Sequence, residues 1–168
     1  MIWGGDCLAT GLTLDEAADQ AVVVVSSSDS PSDLIQVDIF IGGSIQLSDH
    51  NQDYIDDHPT ATLEKFLIIR PEIEVECRLY FPPDFDEGST YPLVLDIHGG
   101  PNGAFYDSFV PVQQVLASAG YLVLAVNPRG SSTYGNEFMM SVLKDWGGED
   151  YNDLMASVDQ LIKRPYVD

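Results

Sequence analysis

The chain has 168 residues, 45% of them hydrophobic and 20% charged, which is a composition of globular proteins and not of disordered ones. Twenty-seven acidic residues against seven basic ones give a formal net charge of −20, so neither nucleic acid nor a membrane surface is expected as a partner. The two cysteines, Cys7 and Cys77, lie far apart and indicate neither a disulfide framework nor a zinc site.

The first sixty residues are predicted to form short strands and turns. The β-branched run Ala21–Ser28 is followed by the alternating segment Asp33–Phe40, and a pair of glycines then turns the chain into another short strand. Such a meander is too small for a core of its own, so residues 1–60 are expected to belong to a larger all-β assembly.

The polar stretch Asp49–Pro59 is interpreted as a connector. It is rich in acids, but it lacks the glycine that a calcium loop needs at its sharp turn, and its acids have the wrong spacing. His50 and His58 are therefore expected to be exposed loop residues, and no metal site is predicted.

From residue 60 onwards the pattern predicts a mixed α/β domain. The segments Thr62–Arg70 and Ile73–Phe81 flank Pro71, and the second alternates between apolar and charged side chains, as in a half-buried antiparallel hairpin. Cys77 falls on the apolar face of this hairpin, where a buried structural thiol is expected.

Two nearly continuous apolar segments, Leu93–His98 and Tyr121–Val126, are typical of strands in a sheet that is covered on both faces. A helix is predicted between them over Val110–Ser118, and this strand–helix–strand spacing predicts that the two strands are parallel. A second helix is predicted near Glu137–Lys144.

The clearest predicted helix comes last. Apolar residues recur at helical spacing from Tyr151 to Ile162, and Pro165 ends the pattern. Asp150 is expected to cap the N-terminus, and Asp153 to lie in the first turn, where the helix dipole favours a carboxylate. Both are interpreted in this way, and not as metal ligands, because neither a histidine nor a further carboxylate is close in sequence.

Three stretches in order, "YPLVLDIHGGPNGAF", "GYLVLAVNPRGSSTYGNEF" and "DWGGEDYNDLMASVDQLIKRPYVD", resemble the catalytic domain of the prolyl oligopeptidase family of serine peptidases, in particular its acylaminoacyl-peptidase and dipeptidyl-peptidase-like branches. The resemblance covers about Thr62 to Asp168. It implies the N-terminal half of an α/β-hydrolase domain over residues 61–168. The region before it resembles the closing blade of a β-propeller, which implies a propeller remnant over residues 1–60.

The resemblance also implies a catalytic serine in a G-x-S-x-G elbow, followed along the chain by an acid and a histidine. Neither "GSSTYG" nor "GSI" has the elbow spacing, so no residue here is assigned a catalytic role, and the 168 residues alone are expected to be inactive. The full-length parent would be a serine exo- or oligopeptidase that cleaves short peptides and uses neither a metal nor an organic cofactor.

What the resemblance does assign is one wall of an oxyanion hole. The backbone N–H of Gly100 is expected to stabilise the developing oxyanion, and Gly99 is expected to permit the turn. His98 and Pro101 are expected to support the loop. Arg129 stays open between a contact to a substrate carboxylate or carbonyl and a structural salt bridge to an acid of "WGGED".

Trp146, which precedes two glycines, is expected to pack against a turn. In a hydrolase sheet, the strand carrying the serine ordinarily lies beside the strand that ends in HGGP. Without it, Leu93–Ile97 would present an apolar edge, which favours a gene fragment over a deliberately short protein.

Two alternatives stay open: an esterase or lipase of the same fold, and a non-catalytic interaction module built on half a hydrolase sheet. No apolar run reaches membrane-spanning length, and the first residues lack the pattern of a secretion signal, so a cytoplasmic location is expected. Neither cleavage specificity nor oligomeric state can be read from the sequence.

Overall fold

The computed structural model describes residues 4–168, which divide into two compact units. The first unit contains residues 4–60 and Tyr106–Val110, and the second contains Ala61–Phe105 and Pro111–Asp168. Within the described range, no helix is both long and apolar enough to cross a bilayer.

The first unit is a four-stranded antiparallel sheet with its strands in chain order. The strands are β1 (Leu8–Leu14), β2 (Gln20–Ser26), β3 (Asp33–Asp38) and β4 (Ser44–Gln46). Among residues 4–60, the buried hydrophobic side chains are those of Ala21, Val23 and Val37. The sheet therefore has little core of its own, as its short strands predict.

Two local features complete this unit. The segment Tyr106–Val110 joins it through the N–H of Phe109, which donates to Ser26 Oγ at 2.9 Å. The connector contains a short helix, α1 (Gln52–Asp57), which the sequence did not predict. His50 and His58 are exposed, as expected.

The second unit is a mixed four-stranded sheet in the order β5-β6-β8-β7. Its strands are β5 (Thr62–Arg70), β6 (Ile73–Phe81), β7 (Leu93–Asp96) and β8 (Leu122–Asn127). The β5–β6 hairpin and the β6–β8 pair are antiparallel, whereas β7 and β8 are parallel, as the strand–helix–strand spacing predicts. Strand β7 ends two residues before the predicted end at His98.

Helices cover both faces of this sheet, and every residue of β8 is buried. On one face, α2 (Pro111–Ser118) contributes Ala117 to a cluster with Tyr80 and Val123. On the other, α4 (Glu149–Leu161) contributes two leucines to the larger core. The buried members of that core are Ile68, Val75, Cys77, Leu79, Phe81, Leu122, Leu124, Val126, Leu154 and Leu161.

The helix predicted near Glu137–Lys144 is shorter in the structure. Helix α3 spans Asn136–Met140, and the residues after it form turns. Lys144 has a φ of 65°, which lies in the left-handed region and is incompatible with a continuing right-handed helix.

The expected cap at Asp150 is wrong. Helix α4 begins at Glu149 with Gly148 at the N-cap position, so Asp150 lies inside the first turn. Its carboxylate accepts the N–H of Gly147 at 3.1 Å, while the carboxylate of Asp145 accepts the N–H of Glu149 at 2.9 Å. Asp145 therefore accepts from the first N–H of the helix, and Asp150 does not occupy the N-cap position.

Trp146 is also placed differently from the expectation. Gly147, with a φ of 83°, does make a turn, but the indole of Trp146 is 72% exposed and does not pack into it. The turn is stabilised by backbone conformation and carboxylate hydrogen bonds and not by the aromatic ring.

The last three residues lie beside the start of β7. The N–H of Tyr91 donates to the carbonyl of Tyr166, and the N–H of Asp168 donates to the carbonyl of Tyr91, both at 2.9 Å. Val167 thus forms a parallel bridge with Tyr91. The adjacent carbonyl of Pro92 accepts from β8, so this bridge lies on the side of β7 that faces away from β8.

Candidate active-site loop

Two loops meet at one end of the second sheet. Because β7 and β8 are parallel, their carboxyl ends lie at the same edge, and the loops that follow them emerge together. The loop after β7 contains His98–Gly103, and the loop after β8 contains Pro128–Ser132. The N–H of Ser132 donates to the carbonyl of Gly103 at 3.0 Å, which joins them directly. Crevices at the carboxyl ends of parallel strands are where α/β proteins bind ligands.

Gly100 has a conformation that other residues rarely adopt, with a φ of 148°. A Cβ atom built on it would collide with the backbone nitrogen of Asn102 and would lie 2.6 Å from that of Gly103. The residue is exposed, so its backbone faces solvent at the mouth of the loop.

The role expected of Gly99 is not required by this geometry. A Cβ atom at Gly99 would meet no other atom within 4 Å, and its φ lies outside the left-handed region. The turn that was expected to need Gly99 is made by Gly100, because only there do both the φ angle and the crowded backbone exclude a side chain.

His98 is half-buried at the start of the loop, where its imidazole stands edge-on to the ring of Phe105 with 5.4 Å between centroids. Its Nδ1 lies 3.0 Å from the carbonyl oxygen of Gly99, and its Nε2 lies 2.9 Å from Ser131 Oγ. The hydroxyl of Ser131 in turn donates to the carbonyl of Pro128 at 2.7 Å.

This serine and histidine do not form a nucleophile and its base. Ser131 Oγ lies within hydrogen-bond distance of both the Pro128 carbonyl and His98 Nε2, and the other ring nitrogen of His98 faces the carbonyl of Gly99. Ser131 is also fully buried, so its Oγ cannot reach a substrate carbonyl. The pair can fix a loop, but it cannot attack a substrate.

Pro101 lies against the second loop at a position that requires glycine. Gly130 has a φ of 95°, and a Cβ atom there would lie 2.8 Å from Val142 Cγ1 and 3.5 Å from Pro101 Cβ. The contact with Val142 and the φ angle therefore require glycine at position 130, while Pro101 lies at an ordinary contact distance.

Arg129 forms a salt bridge whose shortest contact is to Asp153, which lies outside the "WGGED" stretch. Its Nε lies 2.7 Å from Asp153 Oδ2, its Nη2 lies 3.0 Å from Asp153 Oδ1, and its backbone N–H donates to the same carboxylate. Glu149, an acid of the "WGGED" stretch, is 3.7 Å away. The hydrogen bonds with Asp153 raise the pKa of Arg129 above its ordinary value.

The role of Asp153 as the partner of two arginines was not predicted from the sequence. Asp153 is fully buried, and besides Arg129 it receives a hydrogen bond from Arg70 Nε at 3.0 Å. It is the fifth residue of α4, so the expectation that it lies in the first turn, facing the helix dipole, is wrong. The available signal was its position, since Asp153 shares a helix face with the buried Ser157 and Leu161, where a lone carboxylate would need a cation.

Asn127 is a second residue that the sequence analysis did not single out. It is buried at the end of β8, where Oδ1 accepts the N–H of Phe105 and Nδ2 donates to the carbonyl of Phe105. Nδ2 also lies 2.9 Å from the Tyr134 hydroxyl, and burial raises the pKa of that phenol. Asn127 therefore holds the exit of the first loop, and the polar end of an otherwise apolar strand was the signal for it.

The chain is similar to peptidases. The sequence profile of the prolyl oligopeptidase family matches residues 107–168. The uncharacterized peptidase YuxL from Bacillus subtilis is 36% identical over 149 residues, which are 88% of this chain and 22% of that protein. A probable dipeptidyl-peptidase 5 from Emericella nidulans is 42% identical over 86 residues, which are 50% of this chain and 12% of that protein.

Solved peptidase structures have a similar fold. An acylaminoacyl peptidase from Pyrococcus horikoshii has a TM-score of 0.88 at 27% identity over 98% of this chain and 26% of its own. An acylaminoacyl peptidase in complex with Z-Gly-Gly-Phe-chloromethyl ketone has a TM-score of 0.89 at 28% identity, with the same coverage. The chain thus spans about a quarter or less of the length of these similar proteins.

Proposed function

This chain belongs to the prolyl oligopeptidase family, and from that premise we propose that it is part of a serine peptidase that hydrolyses short peptides through an acyl-enzyme. Within that enzyme, the loop after β7 supplies one wall of the active site. The observation that carries this assignment is Gly100, an exposed glycine with a φ of 148° at the carboxyl end of a parallel strand.

The chemistry of acyl transfer explains why such a backbone position is useful. When a serine oxygen attacks the substrate carbonyl carbon, the carbonyl oxygen gains negative charge in the transition state. A fixed N–H that donates to this oxygen stabilises it by about 3–4 kcal/mol in a dry site. The N–H of Gly100 takes this role, and the contacts of His98 and Pro101 with the second loop keep it in place.

The nucleophile, the acid and the base of this enzyme are proposed to lie outside the 168 residues. Strand β7 pairs with β8 on one side, while residues 166–168 bond to Tyr91 on its other side. A strand continuing from Asp168 would therefore run along β7, and it would lead to a serine elbow at the same sheet edge as Gly100. The 168 residues alone are expected to lack peptidase activity.

The remaining part of the proposal concerns the all-β unit and the substrate. Residues 1–60 are assigned to the closing blade of a β-propeller, a role consistent with a four-stranded antiparallel sheet that buries few side chains. A peptide substrate is supported by the similar acylaminoacyl peptidase that was solved with a tripeptide chloromethyl ketone. The proposed chemistry uses neither a metal nor an organic cofactor.

The proposal is tested with a gene product extended beyond residue 168. Acylated and free-amino dipeptide p-nitroanilides and a matched acyl ester are assayed with the wild type, Gly100→Ala and Gly99→Ala. Gly100→Ala should lower kcat about 100-fold, because its Cβ would force the loop to shift and would displace the N–H from the oxyanion. Gly99→Ala should retain most activity, because its Cβ meets no atom within 4 Å.

Equal activities of the two variants would reject the oxyanion role of Gly100. Turnover of the acyl ester without any turnover of the peptides would identify an esterase and reject the peptidase assignment. Peptide hydrolysis by the 168-residue chain itself would reject the assignment of the catalytic residues to a region outside it.

A further inference from the structure

We propose that Ser131 is a positioning residue that holds the loop carrying Gly100. Its hydroxyl lies 2.9 Å from Nε2 of His98, the residue that begins that loop. The inference rests on the proposed function for the catalytic meaning of the loop, but the geometry of the contact stands on its own.

Ser131 and its neighbour tie down both ends of the loop. The side chain of Ser131 binds His98 at the start, and the backbone N–H of Ser132 donates to the carbonyl of Gly103 at the end, at 3.0 Å. Gly100 lies between these two attachments. Consecutive residues of one loop therefore clamp the segment that would present the oxyanion donor.

The clamp is itself anchored to the core. The backbone N–H and the guanidinium of Arg129, two residues before Ser131, bind the buried carboxylate of Asp153 on α4. Gly130, next to Ser131, lies so close to Val142 that it has no room for a Cβ atom. The position of the Ser131 hydroxyl is thus set by a helix and not by a mobile loop.

A hydroxyl at this buried position has a directional role that simple packing would not need. Alanine would fill nearly the same volume, but it would leave Nε2 of the half-buried His98 ring facing an apolar methyl group in place of its hydrogen-bond partner. A second serine in the chain serves as a matched control: the Ser141 hydroxyl donates to Phe138 at 2.7 Å, also three residues back, at an exposed site.

The test is nuclear magnetic resonance on the 168-residue chain carrying Ser131→Ala, Ser141→Ala or His98→Ala, each in a common Ile97→Lys background that opposes association through the exposed edge of β7. The chain has three histidines, so the imidazole nitrogens of His98 can be assigned by difference with His98→Ala. Ser131→Ala should move the Nε2 signal of His98 and should speed hydrogen exchange at the Ser132 amide about fivefold. Ser141→Ala should change neither signal.

His98→Ala removes the same bond from the other side and leaves the bond from Ser131 to Pro128 intact. It should speed exchange at Ser132 as Ser131→Ala does, while the urea midpoints of unfolding separate a loosened loop from a destabilised fold. The proposal is overturned if Ser131→Ala leaves the His98 ring signals unchanged, or if exchange at Ser132 rises only in proportion to global stability. None of these measurements uses a substrate, so they can fail while Gly100→Ala still abolishes activity in the longer protein, and the reverse also holds.

Discussion

The Cys77 thiol shows how burial sets the chemistry of a single residue. The side chain is fully buried in the larger core, and this desolvation raises its pKa to about 11, since the thiolate is disfavoured away from water. Its Sγ donates a hydrogen bond to Ser157 Oγ at 3.3 Å, so the thiol has a hydrogen-bond partner inside the core.

We expect the two cysteines to differ in reactivity. Cys7 is only half-buried, so it should react within minutes with a disulfide reagent such as DTNB, whereas Cys77 should react only after unfolding in guanidinium chloride. The thiol count should therefore rise from one to two on denaturation. Rapid titration of both thiols in native buffer would contradict the burial of Cys77. The Cys7→Ser variant leaves Cys77 as the only thiol, so its reaction can be followed alone.

At the residue scale, sequence reasoning worked where a position follows from a local period. The alternation of β6 places Cys77 inside, and the structure confirms it. It failed for Gly99 and Asp153, because the need for glycine depends on the path of Asn102 and Gly103, and the partner of Asp153 lies on distant strand ends. Neither contact can be predicted from the spacing of residues near it in the sequence.

Helix α4 is held to the sheet by charge as well as by its leucines. Asp153 is fully buried between Arg70 and Arg129, which are themselves mostly shielded, with 23% and 14% of their side chains exposed. Removing the carboxylate would leave two guanidinium groups in a poorly solvated position.

We expect Asp153→Asn to lower the free energy of unfolding by about 3–5 kcal/mol, because it breaks a buried ion pair and leaves Arg70 and Arg129 only their longer contacts with the more exposed Glu149. Asp159→Asn, which changes an exposed carboxylate on the same helix, should stay within about 0.5 kcal/mol of the wild type. Urea unfolding followed by circular dichroism measures both. Similar midpoints for the two variants would show that the carboxylate of Asp153 carries little stability.

A second ion pair ties the residues after α4 to β5. The guanidinium of Arg164 binds the Glu64 carboxylate through two nitrogens, at 2.6 and 2.8 Å, and it lies 5.1 Å from the centre of the Phe66 ring. These hydrogen bonds hold the pKa of Glu64 below its ordinary value of 4.5. The pair is part-exposed, so its contribution is modest.

The lowered pKa of Glu64 makes the contribution of this ion pair to stability depend on pH. Because the pKa of Glu64 is lower in the folded state than in the unfolded state, the pair contributes fully above pH 4.5 and loses its contribution as the pH falls through the lowered value. Glu64→Gln should therefore cost about 0.5 kcal/mol at pH 7 and less at pH 3. Glu74→Gln removes the same charge from an exposed site on β6 and should destabilise the protein equally at both pH values. If Glu74→Gln shows the same pH-dependent loss of stability as Glu64→Gln, the loss comes from the change in net charge and not from the ion pair.

At the element scale, the strands and their order of pairing could be predicted largely from sequence. The hairpin of β5 and β6 and the parallel pair of β7 and β8 match the expected segments, because apolar periodicity and strand–helix–strand spacing encode them. The end of α3 at Met140 could not be predicted, since neither a proline nor a glycine follows it before Gly147.

For the molecule as a whole, the free side of β7 is the most consequential feature. The apolar edge predicted for Leu93–Ile97 is present: among the described strands β7 pairs only with β8, and Ile97 at its end is 55% exposed. The other edge of the same sheet is β5, where Ile69 is 75% exposed.

We expect the 168-residue chain to associate through the edge of β7 at micromolar concentration, as unprotected apolar edges do. Ile97→Lys should suppress this association, because a lysine at a strand edge opposes further pairing. Light scattering after gel filtration measures the effect. If Ile69→Lys suppresses association and Ile97→Lys does not, the chains associate through the edge of β5. A monomeric wild type would show that the edge of β7 does not cause association.

The bridge between Tyr91 and Val167 has a kinetic consequence for any strand that follows Asp168 along β7. Joining two distant segments costs chain entropy that grows with the logarithm of the loop length. Because Tyr91 is already hydrogen-bonded to residues 166 and 168, the loop is closed before such a strand forms, and β7 is fixed as the strand with which it pairs. Each additional residue then closes by zippering, so a register slip, which would turn every side chain to the wrong face, is disfavoured from the first step.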